Sequence, residues 1–141
     1  MTENAIVKWH SSFSVGIDII DEQHMKLIEL TNKLYNSCTS DEGKTKSDSI
    51  FLDVIHEIID YVNYHFTTEE KVMNKSNYPE CQLHKQQHED FAKEVLAKVE
   101  EFNLHKINAS PSFVHYLKDW VLNHIAVSDK KMGEHLLEIN R

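Results

Sequence analysis

The chain has 141 residues, with 15 Lys and Arg against 23 Asp and Glu, and its formal net charge is -8. Only 3 Gly and 2 Pro are present, which leaves too few turn-forming residues for a sandwich or barrel of many short strands. The acidic charge opposes phosphate backbones and anionic lipid surfaces, so no nucleic acid is expected as a partner. The unusual feature is the presence of ten histidines, because imidazole is the commonest side-chain ligand of metals.

The beginning of the chain and its cysteines favour a reducing, aqueous compartment. No basic segment followed by a long apolar run opens the sequence, and no apolar stretch reaches the length of a membrane span. Cys38 and Cys81 lack CxxC spacing and are expected to be reduced thiols. We therefore expect a cytoplasmic protein that does not insert into membranes.

Apolar residues recur with a helical period in four stretches that follow an N-terminal arm at residues 1–17. The stretches predict helices at about 18–38, 48–73, 79–104 and 111–131. Asp18 is suited to cap the first helix, while Pro79 and Pro111 are suited to the first turns of the third and fourth.

Gly133 is expected to interrupt the last helix and to leave residues 132–141 as a short tail. The connections between the four helices are short, which favours antiparallel packing of neighbours. The predicted fold is therefore all-α, an up-down-up-down four-helix bundle that forms a single domain over residues 1–141.

Half of the histidines fall on the apolar faces of these helices. Positions four apart lie one turn along the same face, and this spacing joins two pairs of potential ligands. The pairs are His65 with Glu69 and His84 with His88. The first and fourth helices add His24 and His124 among their apolar residues.

Asp129 is the least regular of these potential ligands. It follows His124 by five residues, which places it about 140° around an ideal helix. The two side chains share a face only if the turn between them is distorted. The other five histidines lie on opposite faces, too far along an axis or outside the helical faces: His10, His56, His105, His115 and His135.

Five imidazoles and two carboxylates in a dry core need a group that neutralises and satisfies them. Seven protein ligands are too many for one tetrahedral zinc ion and for one octahedral ion. If Glu69 and Asp129 each bridge, and one solvent oxygen is shared, two six-coordinate ions retain a single open position. This arrangement favours a pair of redox-active metals that accept a small diatomic molecule.

The order of these motifs resembles hemerythrin, and specifically a single-domain bacterial hemerythrin. The matching segments are GIDIIDEQH at 16–24, HFTTEE at 65–70, YP at 78–79, HKQQH at 84–88 and HIAVSD at 124–129. The resemblance covers essentially the whole chain, including Trp9 in the N-terminal arm.

The resemblance implies a non-heme di-iron centre, with an oxo or hydroxo bridge, that binds O2 reversibly. By this resemblance, His84, His88 and His124 hold one iron, His24 and His65 hold the other, and Glu69 and Asp129 bridge. The open position is then on the iron held by two histidines. The implied role is an oxygen carrier, storage or delivery protein rather than an enzyme, with O2 as its ligand and an unidentified protein as recipient. We expect a monomer.

Four apolar residues beside the ligands are candidates for the walls of an O2 pocket that keeps bulk water out. They are Phe66, Trp120, Val121 and Ile125. Simple core packing accounts for them equally well. Asp21 either orients His24 or organises the helix start, and Glu22 and Glu70 are expected to be solvated.

Other functions stay open at this point. One is an oxygen or redox sensing module that acts through a partner, with the amphipathic segment 136–139 as its one suggestive surface. Another is a di-iron enzyme that acts on peroxide, nitric oxide or ferrous iron. The absence of any ExxH motif disfavours oxygen activation, and a structural zinc bundle is the least favoured alternative.

Overall fold

A computed structural model describes residues 6–38, 44–103 and 111–139. Its α-helices are α1 (Asp18–Cys38), α2 (Lys44–Ser76), α3 (Cys81–Asn103), α4 (Pro111–Asn123) and α5 (Lys130–Ile139). A 3-10 turn, Ser11–Phe13, precedes α1, and a π-helical segment, His124–Asp129, joins α4 to α5. No strand occurs within the described ranges. The predicted four-helix bundle is confirmed, with α4, the π segment and α5 together forming the fourth helical rod.

The second helix is longer than predicted at both ends. Its predicted end was residue 73, but α2 continues to Ser76 and ends where Asn77 adopts a φ of 54°. The Tyr78 N–H donates to the Met73 carbonyl at 3.0 Å, a bond that caps the last turn around a left-handed residue. The third helix begins at Cys81, so Pro79 lies in the connecting turn and not in the first turn of α3.

The fourth rod differs most from the prediction. The helix was expected to end near residue 131, but α5 continues to Ile139 without a break at Gly133. A Cβ on Gly133 would lie 2.5 Å from the backbone oxygen of Val15. This glycine therefore lets the N-terminal arm pack directly on the helix. The described part of the predicted tail, residues 132–139, is helical and forms all of α5 except its first two residues, and Leu136 within it is buried.

Asp21 holds the arm at the start of α1. One oxygen of its carboxylate accepts a hydrogen bond from the Val15 N–H at 2.8 Å, and the other accepts one from Ser14 Oγ at 2.5 Å. Of the two roles considered for Asp21, the structure supports organisation of the helix start.

Two apolar clusters lie on either side of the buried polar residues. The larger contains most of the bundle core, with Leu34, Phe51, Val114 and Leu117 almost fully buried. The smaller contains Met73, Tyr78, Met132 and Leu136. Burying each large apolar side chain contributes about 1.5–3 kcal/mol, so stable packing on both sides holds the polar layer in place. None of the helices within the described ranges is long and apolar enough to cross a lipid bilayer.

Candidate metal centre

Seven buried polar side chains meet between the two apolar clusters. They come from all four rods: His24 on α1, His65 and Glu69 on α2, His84 and His88 on α3, and His124 and Asp129 on the π segment. Each is no more than 6% exposed. The structure brings together all seven of the residues that the sequence analysis proposed as ligands.

Their donor atoms form two groups that share the two carboxylates. One group is Glu69, His84, His88, His124 and Asp129, and the other is His24, His65, Glu69 and Asp129. Within each group the donor atoms lie within 4.8 Å of one another. A compact set of imidazole and carboxylate donors is a composition that binds transition metals.

Each carboxylate turns one oxygen toward each group. Glu69 Oε1 lies 3.4 Å from His84 Nε2, whereas Oε2 lies 3.4 Å from His65 Nε2. Asp129 Oδ1 lies 2.9 Å from His84 Nε2, whereas Oδ2 lies 2.8 Å from His24 Nε2. The two carboxylates are thus positioned to serve both groups at once.

The π segment explains how Asp129 reaches this position. In it, the Lys130 N–H is hydrogen-bonded to the Ile125 carbonyl five residues earlier. This wider turn brings residue 129 over residue 124, whereas an ordinary α-turn would rotate it away. The distortion that the five-residue spacing required is therefore present, with His124 and Asp129 at the two ends of the π segment.

Several buried donor and acceptor atoms in the site have no hydrogen-bond partner. They are both ring nitrogens of His24, Nε2 of His65, Oε2 of Glu69 and both carboxylate oxygens of Asp129. Although some of these atoms lie within 3 Å of each other, they are not aligned as donor and acceptor. An unsatisfied buried polar group costs about 1–3 kcal/mol, so the residues fit a site whose lone pairs converge on cations.

Two imidazoles are held in a defined tautomer by side chains outside the seven. His65 Nδ1 lies 2.7 Å from Gln23 Oε1, and His88 Nδ1 lies 3.0 Å from Glu70 Oε2. Both partner atoms are acceptors, so each Nδ1 carries the proton and each Nε2 presents its lone pair to the site.

Neither of these partners was predicted. Glu70 was expected to be solvated, but its side chain is 34% exposed and contacts His88. Gln23 is 2% exposed. The signal for both is their phase, because Gln23 is three residues from buried Ile20 and Glu70 is three residues from buried Met73. Glu22, by contrast, is exposed as predicted.

Electrostatics in the site favour ionised carboxylates beside protonated imidazoles. Burial alone lowers the pKa of His24, but the Asp129 and Glu69 carboxylates outweigh it and raise the pKa to about 9. The two carboxylates also outweigh the effect of burial at His124, where they raise the pKa to about 10, and at His84, where they raise it as well. Burial raises the pKa values of Glu69 and Asp129, yet the surrounding imidazoles hold both well below their usual ranges. In the absence of metal, protons therefore supply the positive charge that the carboxylates require.

A small cavity adjoins the site. Its volume is about 10 Å³, and the four predicted pocket residues line it together with His65, His124 and Asp129. The Trp120 ring stacks on His124 at 4.5 Å and 12°, and Phe66 stacks on His88 at 3.7 Å and 4°. These rings cover the imidazoles and fill the space around them.

The remaining histidines and the described cysteine lie apart from the site. His10, His56 and His115 are exposed, and His135 Nε2 lies 3.2 Å from the Ser76 carbonyl. Cys81 Sγ lies 3.5 Å from Asn74 Oδ1, and Cys81 is in neither donor group. His105 and the side chain of Cys38 lie outside the part of the chain that the structure describes.

Comparisons of the sequence and of the fold with known proteins identify relatives of this chain. Residues 15–136 match the family model described as hemerythrin HHE cation binding domain. The chain is 33% identical over 130 residues to the bacteriohemerythrin of Stenotrophomonas maltophilia, covering 92% of this chain and 81% of the relative. It is 32% identical over 128 residues to that of Clostridium acetobutylicum, covering 87% and 95%. A crystal structure of wild-type hemerythrin matches 94% of this chain and 98% of its own, with a TM-score of 0.85 and 26% identity.

Proposed function

Because this chain belongs to the hemerythrin family, we propose that it binds O2 reversibly at a pair of iron ions. In this proposal the protein is an oxygen carrier, storage or delivery protein and not an enzyme. Family membership supports a di-iron site of the hemerythrin type, and reversible O2 binding is the further step that the site chemistry supports.

The observation that carries the proposal is the division of two carboxylates between two histidine groups. Glu69 and Asp129 each direct one oxygen to the three-histidine group and one to the two-histidine group. Shared carboxylates suit two ions that are close together, and imidazole is a suitable ligand for iron. His84, His88 and His124 would hold one iron, His24 and His65 the other, and Glu69 and Asp129 both.

When bound, a pair of ferrous ions supplies the electrons that O2 takes up on binding and gives back on release. The chain holds the imidazoles in place and excludes water. Gln23 fixes the tautomer of His65. Val121 on α4 and Ile125 on the π segment, both at least nine-tenths buried, close the cavity on the side of the fourth rod. A dry, preorganised site protects a bound molecule from proton delivery.

The size of the cavity excludes large ligands. Its volume of about 10 Å³ corresponds to the space that a single water molecule needs. A substrate larger than a few atoms does not fit without rearrangement of the surrounding rings. The cavity therefore favours binding of a small molecule over an enzymatic reaction on a large one.

A second candidate function is oxygen or redox sensing through a protein partner. The observation that favours it is on α5, where Leu137 and Ile139 are 46% and 50% exposed. α5 directly follows the π segment that carries Asp129. A displacement of Asp129 would therefore be transmitted along α5 to the exposed side chains of Leu137 and Ile139.

The test is the visible absorption of the iron-loaded, reduced protein during repeated cycles of O2 addition and removal. We expect a band that appears with O2 and disappears on its removal. His65→Ala should abolish this change, whereas His56→Ala, at an exposed histidine of the same helix, should leave it intact. Turnover of peroxide without a stable oxygenated form would contradict the proposal.

A further inference from the structure

An apolar cleft opens between α2 and α3 beside the candidate metal centre. Its volume is about 120 Å³, and seven of its eight lining residues are apolar, Asn63 being the exception. Leu96, one of these residues, is 58% exposed, so the cleft reaches the surface. Water inside such a cleft makes few hydrogen bonds, whereas an apolar molecule loses nothing by entering it.

The cleft and the cavity at the metal centre share two residues. Val62 and Phe91 line both spaces, and they are 6% and 3% exposed. These two side chains therefore form the partition between the surface cleft and the cavity that contains His65 and His124.

The two sides of this partition differ in how firmly they are held. Phe91 stacks on Trp120 at 3.9 Å and 19°, and it meets Phe66 edge-on at 6.0 Å and 71°. Such ring contacts add about 0.5–1.5 kcal/mol per pair beyond burial. Val62 is smaller and has no ring contact of this kind, so it is the part of the partition that a small molecule can displace.

We propose that this cleft is a binding site for small uncharged gases and the entrance through which O2 reaches the metal centre past Val62. The proposal rests on the proposed function as far as O2 is concerned, but gas binding in the cleft does not require iron. An apolar cavity of about 150 Å³ lined by aliphatic and aromatic side chains binds xenon, and this cleft has a similar volume and lining. Its lining selects against anions and favours apolar diatomic molecules.

Rapid mixing of the reduced, iron-loaded protein with O2 tests the entrance. Ala92 lines the cleft but not the inner cavity, so Ala92→Phe should lower the association and dissociation rates together by several-fold and leave Kd unchanged. Ala97→Phe, the same change at an exposed position of α3, is the matched control and should change neither rate. Val62→Ala should raise both rates, whereas Val54→Ala, at a buried valine outside both spaces, should not. Unchanged rates in Ala92→Phe, or equal effects in a variant and its control, would show that O2 does not enter through the cleft.

Xenon tests the gas site independently of O2. Crystals of the full chain under xenon pressure, with zinc in place of iron, should show xenon between α2 and α3 in the wild type and none there in Ala92→Phe. If no xenon is bound in the cleft of the wild type, the cleft is not a binding site for small gases. If the iron-loaded protein binds no O2, the proposed function fails, and xenon in the cleft would still support a gas site, so the two failures are distinguishable.

Discussion

Metal loading of the site should release protons, and the amount follows from the raised pKa values of two histidines. His24 and His124 have pKa values of about 9 and about 10 in the metal-free chain. Both are therefore almost fully protonated at pH 7, and metal ions must displace these protons because a ligating imidazole is neutral. Glu69 and Asp129 release no further protons, because their pKa values are well below their usual ranges and both carboxylates are already ionised at pH 7.

The expected release is at least about two protons per chain near pH 7. Near pH 9, His24 is about half deprotonated before metal arrives, so the release should fall by about half a proton. Calorimetric titration of the metal-free protein with Zn2+ in buffers of different ionisation enthalpy measures this number. His24→Gln should lower the release near pH 7 by about one proton, and His56→Gln should not change it. A release close to zero at neutral pH, or one that increases from pH 7 to 9, would show that these imidazoles are not protonated in the metal-free chain.

Three further predictions concern stability and the pocket. The metal-free protein should lose stability as pH rises above about 6.5, because the stability from His24 and His124 is complete below the unfolded pKa of about 6.5 and is lost as pH rises through about 9 and 10. Urea unfolding at a series of pH values measures the decline, which should approach about 1.4 kcal/mol per pH unit for each histidine. Gly133→Ala should lower the free energy of unfolding by about 1–3 kcal/mol, because the new Cβ meets the arm backbone. A gain of about 1 kcal/mol from helix propensity alone would show that the arm does not pack there. Val121→Ala should speed autoxidation of the oxygenated protein by admitting water, and Val114→Ala, buried in the same helix away from the cavity, should not. Equal autoxidation rates in these two variants would contradict the pocket role of Val121.

Helical phase was sufficient to identify the inward-facing histidines because four of the five lie within regular α-helices and His124 directly follows the last residue of α4. The spacing of four in His65 with Glu69 and in His84 with His88 places donors on one face whatever the neighbouring helices do. The resemblance to hemerythrin, which the family match confirms, added the division of these residues between two metals. The boundaries of α2 were harder to predict from the sequence, because its last turn contains polar residues. The helix ends where the backbone of Asn77 adopts a positive φ.

Features that depend on two distant segments were not predictable from local patterns. Gly133 was interpreted as a break because its partner, Val15, lies at the other end of the chain. Glu70 and Gln23 are recognisable as partners of His88 and His65 only when the rotation of facing helices is known. The need for a distorted turn at Asp129 followed from its spacing, but the π segment itself became visible only in the structure.

Iron stoichiometry decides whether the two histidine groups bind two iron ions through shared carboxylates. The most direct measurement is the number of iron atoms per chain after anaerobic reconstitution with ferrous iron and removal of the excess. We expect two iron atoms per chain in the wild type, and a loss of both when Glu69 and Asp129 are replaced together by alanine. One iron per chain in the wild type, or full retention of two in the double variant, would contradict this expectation.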